Sequence, residues 1–497
     1  MPLTINDLPY EILSQILEAA AEHNVLQGPL YTYGLSQAPE PLKDAQLHRV
    51  IRGQLSPDTL RFNSTESLRQ VARRWHDWAA EYALETLYIS RWRGSERYSL
   101  TLNPTVLPPL TNFIRWMQSR TLDSVHSQPS SIAVYRDPYH SLRKTMQLFE
   151  ANSSLASCVR RIWFDGYYGA ETNTMIFRIL NRCSNLDCLT LPWTALRYGN
   201  ENDWSRLLGR NYQNRSISSL ELLAVDLKHS QISNTSNRVD KKPLNSPQVN
   251  FRGLKRLKIF GHSNFMPLMD EDLIAISHTA CNLREIHITG TASVTINGIK
   301  ALAHSSAESL EVVEHSPLAA DGFAHPDLTL FHKQKDHLCQ KIVQCPRLQS
   351  LSLTVPSLCG DLFANTLVNW HGEVQIRTLT ICGRLPSFLK HSPYAQTEFW
   401  RILDSARFLI AMREKEGVEL NIEIFVDNWI FEPRCFLVHG DFGSRVIASQ
   451  GLWLPERCHS SKGPYGQTGL YGKDDSPYES ISEANFIGGL EKRYVQF

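Results

Sequence analysis

A glycine-rich segment near the C-terminus has the composition of a phosphate-binding loop. It reads Gly463-Pro-Tyr-Gly-Gln-Thr-Gly469-Leu-Tyr-Gly472. A phosphate loop needs a strand before it and a helix N-terminus after it, so that backbone amides and the helix dipole face the anion. The sequence indicates neither element here. We therefore interpret the segment as part of a tail and not as a nucleotide site.

Other residues that could perform chemistry are dispersed along the chain. The 18 histidines and 10 cysteines form no CxxC or HExxH pattern, and no GxSxG or GxxxxGK[ST] motif occurs. His76 lies between two tryptophans and is interpreted as a solvated or capping histidine. A nucleophile and its base can be far apart in sequence, so a hydrolase stays an alternative. We predict a non-enzymatic protein that needs no cofactor and no metal ion.

Charge and hydropathy limit the partners and the compartment. The 497 residues include 51 basic and 50 acidic side chains, a net charge of +1. A nucleic-acid binder needs a clustered positive field, which this balance does not suggest. No apolar run approaches 18 residues, and the N-terminus lacks the basic and apolar regions of a signal peptide. We expect an intracellular protein, cytoplasmic or nuclear, with buried thiols and with neither nucleic acid nor membrane as a partner.

Two amphipathic helices are predicted near the N-terminus. The first begins near Pro9 after a cap at Asn6 or Asp7. Its apolar residues share one helical face, namely Ile12, Leu13, Ile16, Leu17 and Ala20. The second covers residues 67–79, and its apolar residues are Leu68, Val71, Ala72, Trp75, Trp78 and Ala79.

These two segments resemble the ends of an F-box. The first reads Leu8-Pro9-x-Glu11-Ile12-Leu13-x-x-Ile16-Leu17, which looks like the first helix of that family. The second reads Leu68-Arg69-x-Val71-x-Arg73-x-Trp75-x-x-Trp78-Ala79, which looks like its L-x-x-V-C-R-x-W ending. Residues 22–63 form an insertion between them, with a middle helix expected within 41–55 or near 58–61. The Trp75-His-Asp-Trp78 helix resembles fungal-type F-box proteins.

The resemblance implies a partner and a docking surface. The partner is the Skp-type adaptor subunit of a cullin-based ubiquitin ligase. The docking residues that it implies are Leu8, Pro9, Ile12, Leu13, Ile16, Val71 and Trp75.

An L-x-x-L-x-L string recurs after residue 150. Eight copies lie 27 to 38 residues apart and begin at Val159, Leu186, Leu220, Leu254, Leu283, Leu310, Leu348 and Ile376, with a ninth candidate at Leu420. This spacing is close to the long leucine-rich-repeat period. Amphipathic helices are predicted between strings, at 175–182, 272–279, 299–305, 336–344 and 362–370. Repeated strand and helix predict an α/β fold, an irregular leucine-rich-repeat-like solenoid of parallel strands with outer helices.

Cysteines precede three of these strings, at positions 183, 281 and 345. This arrangement resembles the cysteine-containing leucine-rich repeats found behind an F-box. The expected role is a small buried thiol in a tight turn, with metal binding as the alternative.

Strand alternation predicts which residues face a partner. The third and fifth positions of each string point away from the core. They are Arg161 and Trp163, Cys188 and Thr190, Leu222 and Ala224, Arg256 and Lys258, Glu285 and His287, Val312 and Glu314, Ser350 and Ser352, Thr378 and Thr380. Any one of them can be merely solvated. As a set, we predict a face for a protein client, centred on Arg161, Trp163, Arg256, Lys258, Glu285, His287 and Glu314, where Arg256 and Lys258 would suit a phosphate.

The sequence thus predicts four regions. They are an F-box-like helical module at 1–82, a connecting region at 83–150 with a strand at 84–89 and a helix at 111–119, a solenoid at 151–430, and a C-terminal cap with a flexible tail at 431–497. Exposed loops are expected at 231–250, 316–335 and 383–396.

The predicted function is that of an adaptor. We expect a client-recognition subunit of a Skp/cullin/F-box ubiquitin ligase, which binds an unknown protein client on the repeat face. The alternative is a repeat scaffold without a ubiquitin role, whose first helices cap the array and bury Ile12 and Ile16 against residues 83–165.

Overall fold

The computed structural model describes most of the predicted elements. It covers residues 5–27, 65–91, 138–208, 217–225, 243–261, 263, 265–291, 293–317, 338–366, 368–381, 393–426, 429–440, 456–458 and 478–491. The middle helix expected within 41–61, the helix expected at 111–119 and the glycine-rich segment at 463–472 lie outside these residues.

The strands form one open, mostly parallel sheet. In the described ranges, fourteen strands follow one another across it in chain order, except that the last two are exchanged. They are β1 (Thr86–Ser90), β2 (Arg161–Asp165), β3 (Cys188–Pro192), β4 (Ser219–Leu223), β5 (Arg256–Phe260), β6 (Glu285–Thr291), β7 (Val312–Pro317), β8 (Ser350–Leu358), β9 (Gly372–Ile381), β10 (Leu420–Val426), β11 (Trp429–Glu432), β12 (Leu437–Gly440), β13 (Glu456–Cys458) and β14 (Tyr478–Ser482). The pairs from β1 to β10 are parallel, and the later pairs are antiparallel.

Helices lie between most of the parallel strands. The α-helices are α1 (Tyr10–Gln27), α2 (Glu66–Arg69), α3 (Arg73–Glu85), α4 (His140–Ala151), α5 (Ser153–Ser157), α6 (Ala170–Leu180), α7 (Ala195–Tyr198), α8 (Glu201–Leu208), α9 (Asp270–Ser277), α10 (Ile296–Ser305), α11 (Leu338–Ile342), α12 (Asp361–Ala364), α13 (Pro393–Lys415) and α14 (Glu483–Glu491). From α9 to α13, each helix contacts the next along the sheet. None of the described helices is long and apolar enough to cross a bilayer.

Alternation along each strand builds one continuous core. In β5, Leu257 and Ile259 are fully buried while their neighbours stay accessible. The matching residues of β6 are Ile286 and Ile288, which are also fully buried, and the same cluster includes Ile276 of α9 and Leu302 of α10. One face of the sheet therefore packs on helices, and the other face remains for polar side chains.

The elements agree with several predictions and correct others. The strand predicted at 84–89 is β1, and the five predicted helices overlap α6, α9, α10, α11 and α12. The loop prediction for 231–250 is wrong at its end, because Leu244 and Val249 are buried in the core. The loop prediction for 383–396 is wrong from Pro393 onwards, where the 23-residue helix α13 begins.

The C-terminal strands cover the last parallel strand. The backbone of β11 pairs antiparallel with β10, and its residues Trp429 and Phe431 are fully buried. These two residues lie on either side of the predicted boundary between the solenoid and the cap at residue 430. Strand β14 pairs with both β12 and β13, and Phe486 of α14 packs edge to face on Trp429. Residues 478–491 are thus part of the sheet and its core, which corrects the prediction of a flexible tail there.

Candidate protein-interaction surfaces

The N-terminal helices form a small module with a core of its own. Six side chains from α1, α2 and α3 make this cluster, which is distinct from the core under the sheet; they are Leu13, Leu17, Ala21, Leu68, Trp78 and Ala79. Positions 13, 17 and 21 are four residues apart, so they form one stripe of α1. The stripe faces Trp78 of α3, and the ring of Trp78 stacks on Tyr82 with 4.8 Å between centroids.

Hydrogen bonds fix the crossing of α1 and α3. The indole N–H of Trp78 donates to Ser14 Oγ at 2.9 Å, and that of Trp75 donates to Asn6 Oδ1 at 2.9 Å. The Arg74 guanidinium donates to the backbone carbonyls of Asn6 and Leu8 at 2.8 and 2.9 Å. These contacts order the turn before α1. Trp75 therefore has a structural role in the module, in addition to the docking role that we predicted.

The predicted docking residues differ in accessibility. Ile12, Ile16 and Val71 are exposed at 45%, 39% and 57%. Pro9 is also exposed, while Leu8 and Trp75 are half-buried. Leu13 is only 1% exposed and belongs to the module core, which corrects its place on the docking surface. Ile12 and Ile16 are one helical turn apart, beside the buried stripe, so they can contact one partner together.

The open face of the sheet carries two rows of aligned side chains. One row is Arg161, Cys188, Ser219, Arg256, Glu285, Val312 and Ser350. The second row is Trp163, Thr190, Glu221, Lys258, His287, Glu314, Ser352, Gln375 and Glu423. The seven residues predicted to centre the client face thus share one face across β2 to β7. Their role in binding stays a prediction.

In two strands, β4 and β9, a residue that we predicted on the open face points into the core, and its neighbours point outward. In β4, Leu222 aligns with Leu191 and Ile259 in the core and is fully buried, so Ser219 and Glu221 occupy the open face. In β9, Thr378 is fully buried beside Val355, and Gln375 occupies the open-face row. The string in β4 begins at Ile217, which is 2% exposed, and the next two apolar positions are 220 and 222.

The second row of the open face is closed over β2 to β4, whereas Arg161 of the first row is exposed. Trp163, Thr190 and Glu221 are 3%, 7% and 5% exposed. Trp163 packs edge to face on Tyr88, and Thr190 Oγ1 donates to Glu221 at 2.9 Å. The cavity beside them has a volume of about 40 Å³. Such a space holds only a few water molecules.

The part over β5 to β7 is accessible and carries a polar network. The Arg256 guanidinium donates two hydrogen bonds of 2.5 Å to the Glu285 carboxylate. The His287 ring bridges two carboxylates, with Nδ1 at 2.7 Å from Glu314 and Nε2 at 3.3 Å from Glu285. The Arg256 hydrogen bonds hold the pKa of Glu285 below its usual value, and the same contact raises the pKa of Arg256.

A hydroxyl, an imidazole and a carboxylate meet in series on the C-terminal strands. His439 Nδ1 is 2.7 Å from Ser480 Oγ, and its Nε2 is 3.0 Å from Glu432. The hydrogen bond to His439 lowers the pKa of Glu432. This order is that of a nucleophile, a base and an orienting acid. However, Ser480 lies on a strand that is paired on both sides, so its backbone amides serve the ladder and do not form an oxyanion site. We interpret the series as a polar link across the cap.

The described cysteines include buried, half-buried and exposed ones. Cys183 and Cys345 are buried before their strands, as the repeat pattern predicted, and burial raises the pKa of Cys345 to about 12. Cys281 is exposed, so the prediction is wrong for that repeat. Within the described ranges, no group of three or more His, Cys, Asp or Glu side chains is arranged to hold a metal ion.

Comparison with known proteins gives no relative from which to transfer a function. No family model matches the chain, and no curated protein matches its sequence. The function is therefore inferred from the two surfaces described above, namely the exposed residues of α1 and the accessible open face over β5 to β7.

Proposed function

We propose that this protein is the client-recognition adaptor of a Skp/cullin/F-box ubiquitin ligase. The N-terminal module docks on the Skp-type subunit, and the sheet is a leucine-rich-repeat-like solenoid that holds a protein client on its open face. The observation that carries the proposal is the exposure of Ile12 and Ile16 beside a core that is already complete without them.

The size of the module makes a partner physically reasonable. Its core contains six side chains, and a core that small buries little apolar surface by itself. Large apolar side chains nevertheless remain exposed around it, including Ile5, Tyr10, Ile12, Ile16 and Val71. A soluble domain gains stability when a partner covers such residues. The F-box resemblance of the same two segments implies that this partner is a Skp-type subunit.

The parallel sheet supports the second half of the proposal. Each parallel strand pairs with the strand that precedes it in the chain, and most have a helix between them, as in repeat proteins. Such arrays present long surfaces to other proteins. Catalysis would belong to other subunits, and this chain would raise the effective concentration of client lysines near the ubiquitin-conjugating enzyme.

The scaffold alternative predicts different burial. If α1 were only a cap of the sheet, Ile12 and Ile16 would be covered by residues of the connecting region. Their exposures of 45% and 39% favour docking on a separate protein.

The test is co-purification of the full chain with a Skp-type subunit. Wild type is expected to form a complex, and the double variant Ile12→Asp/Ile16→Asp is expected to lose it. Phe408→Asp is the matched control, because Phe408 is a 59% exposed apolar residue of the distant helix α13. The proposal fails if wild type forms no complex, or if the double variant binds as well as the control.

A further inference from the structure

Lys258 differs from the charged groups that surround it on the open face. Arg256 is bonded to Glu285, His287 joins Glu285 to Glu314, and Glu221 accepts a hydrogen bond from Thr190. Across the residues that the structure describes, none gives the half-buried Lys258 ammonium a hydrogen bond or an ion pair within 4 Å. One positive charge of the network is thus left without a contact partner.

This arrangement costs stability. Burial lowers the pKa of Lys258, although Glu221, Glu285 and Glu314 are near enough to act against that effect. The charged ammonium is therefore less favourable in the folded chain than in the unfolded one at neutral pH. A half-buried charge that lowers stability and has no compensating contact is typical of a functional position. A ligand with a negative charge would supply the missing contact.

An apolar anchor lies next to Lys258 on the same face. Phe260 is two residues further along β5 and is 40% exposed. Side chains two apart on a strand project on one side, about 6.6 Å from each other. The chain turns directly after Phe260, at Gly261, where φ is +94° and a Cβ would be 2.8 Å from Ala224 Cβ. Phe260 thus lies at the rim of the open face, where a ligand can reach its ring.

The surrounding charges select the kind of anion. Among the described residues, three carboxylates and one cation, Arg256, act on Lys258, and Arg256 is already held by both oxygens of Glu285. A phosphate dianion would need a second cation and would be repelled by these carboxylates. A single carboxylate needs one ammonium and carries half that charge. The charges therefore disfavour the phosphate that we predicted for the pair of Arg256 and Lys258.

We propose that the open face binds an extended peptide, with a single Asp or Glu on Lys258 and an apolar residue two positions away on Phe260. An extended peptide has the same spacing of about 6.6 Å between alternate side chains, so both contacts form together. The carboxylate supplies the partner that Lys258 lacks, and the ring of Phe260 is covered. The inference rests on the proposed function only in that the peptide is a segment of the client.

The test is selection from a library of random displayed peptides against the purified full chain. Wild type is expected to enrich peptides with Asp or Glu two positions from an apolar residue. A selected peptide should bind Lys258→Met about ten- to a hundredfold more weakly, the value of a hydrogen bond to a charged group. Lys255→Met is the matched control, because Lys255 is exposed at the residue before β5, and its binding should equal that of wild type.

Two further measurements separate binding from folding and from the choice of anion. Thermal unfolding of Lys258→Met should occur at a higher temperature than that of wild type, because an unfavourable charge is removed. A peptide with phosphoserine in place of the acidic residue should bind no better. The proposal is overturned by a library without acidic enrichment, by equal loss in Lys255→Met, or by tighter binding of the phosphopeptide. Lys258→Met leaves α1 untouched, so failure of Skp-type docking and failure of peptide binding are observed independently.

Discussion

The double variant Ile12→Ala/Ile16→Ala tests the docking surface. The expected loss of affinity follows from the exposed fraction of each side chain. These side chains are 45% and 39% exposed, so a partner can cover less than half of each. Full burial of an isoleucine contributes about 1.5–3 kcal/mol. Scaled by exposure, the two positions contribute about 0.7–1.4 and about 0.6–1.2 kcal/mol. The double variant should therefore bind the Skp-type subunit about ten- to eightyfold more weakly.

The adjacent residue is a control of the opposite kind. Leu13 is 1% exposed and lies in the module core, so Leu13→Ala should lower the free energy of unfolding of the module by about 2–5 kcal/mol. Isothermal titration calorimetry gives Kd, and circular dichroism melting gives the stability of each variant. The reasoning is refuted if Ile12→Ala/Ile16→Ala binds with the wild-type Kd, or if it melts as early as Leu13→Ala.

Three other predictions test the fold and its electrostatics. Leu222→Asp should prevent folding of the sheet, because residue 222 is fully buried, whereas Leu223→Asp at a half-buried position should fold. Equal solubility and equal circular dichroism spectra of the two variants would contradict the register of β4. Gly261→Ala should destabilise the chain by at least about 1–2 kcal/mol, measured by urea denaturation, because alanine is strained at φ +94° and its Cβ meets Ala224; an unchanged midpoint would contradict it. Folding lowers the pKa values of Glu285 and Glu432 from their ordinary value of 4.5. Both carboxylates therefore stabilise the folded chain at pH values above 4.5, and this stabilisation is lost as the pH falls through the lowered pKa values. Urea midpoints measured from about pH 6 to about pH 3 should fall, and Glu432→Gln should make that fall shallower; an equal slope in both proteins would remove this contribution.

Much of the sheet could be predicted because β5 and β6 repeat one pattern without ambiguity. In Leu254-Lys-Arg-Leu257-Lys-Ile259, the only apolar residues are those that point inward. In β4 the residues Leu220-Glu-Leu-Leu223 fit two phases, and pairing with β3 and β5 decides between them. A strand with apolar residues on adjacent positions does not reveal which of them faces the core.

The helix α13 could have been found from the sequence. Its buried apolar residues are Phe399, Ile402, Leu403, Ala406, Leu409 and Ile410, which repeat at helical spacing. Proline and serine before residue 396 favour a loop in the sequence, but proline is also tolerated in the first turn of a helix.

The polar contacts of the candidate surfaces depend on tertiary structure. His439 and Ser480 are 41 residues apart, and Thr190 and Glu221 are 31 residues apart, so neither pair has a signature in the chain. Phe260 follows the last position of the L-x-x-L-x-L string at 254–259. The repeat pattern therefore predicts Lys258 on the open face but makes no prediction for Phe260. Ile12 and Leu13 are adjacent and both apolar, so the sequence does not show which of them is buried. The position of α3 decides that Leu13 is buried and Ile12 is exposed.

The order of the strands has a consequence for synthesis on the ribosome. Every strand from β2 to β10 pairs with the strand made just before it, so its template already exists when it emerges. Domains of multi-unit chains generally fold from the N-terminal end while translation continues. The newest strand of the growing sheet would be an unpaired edge until the next strand is made, and β11 would cover β10 in the opposite direction. Premature termination before residue 429 would leave β10 uncovered, and two truncated chains could then join edge to edge.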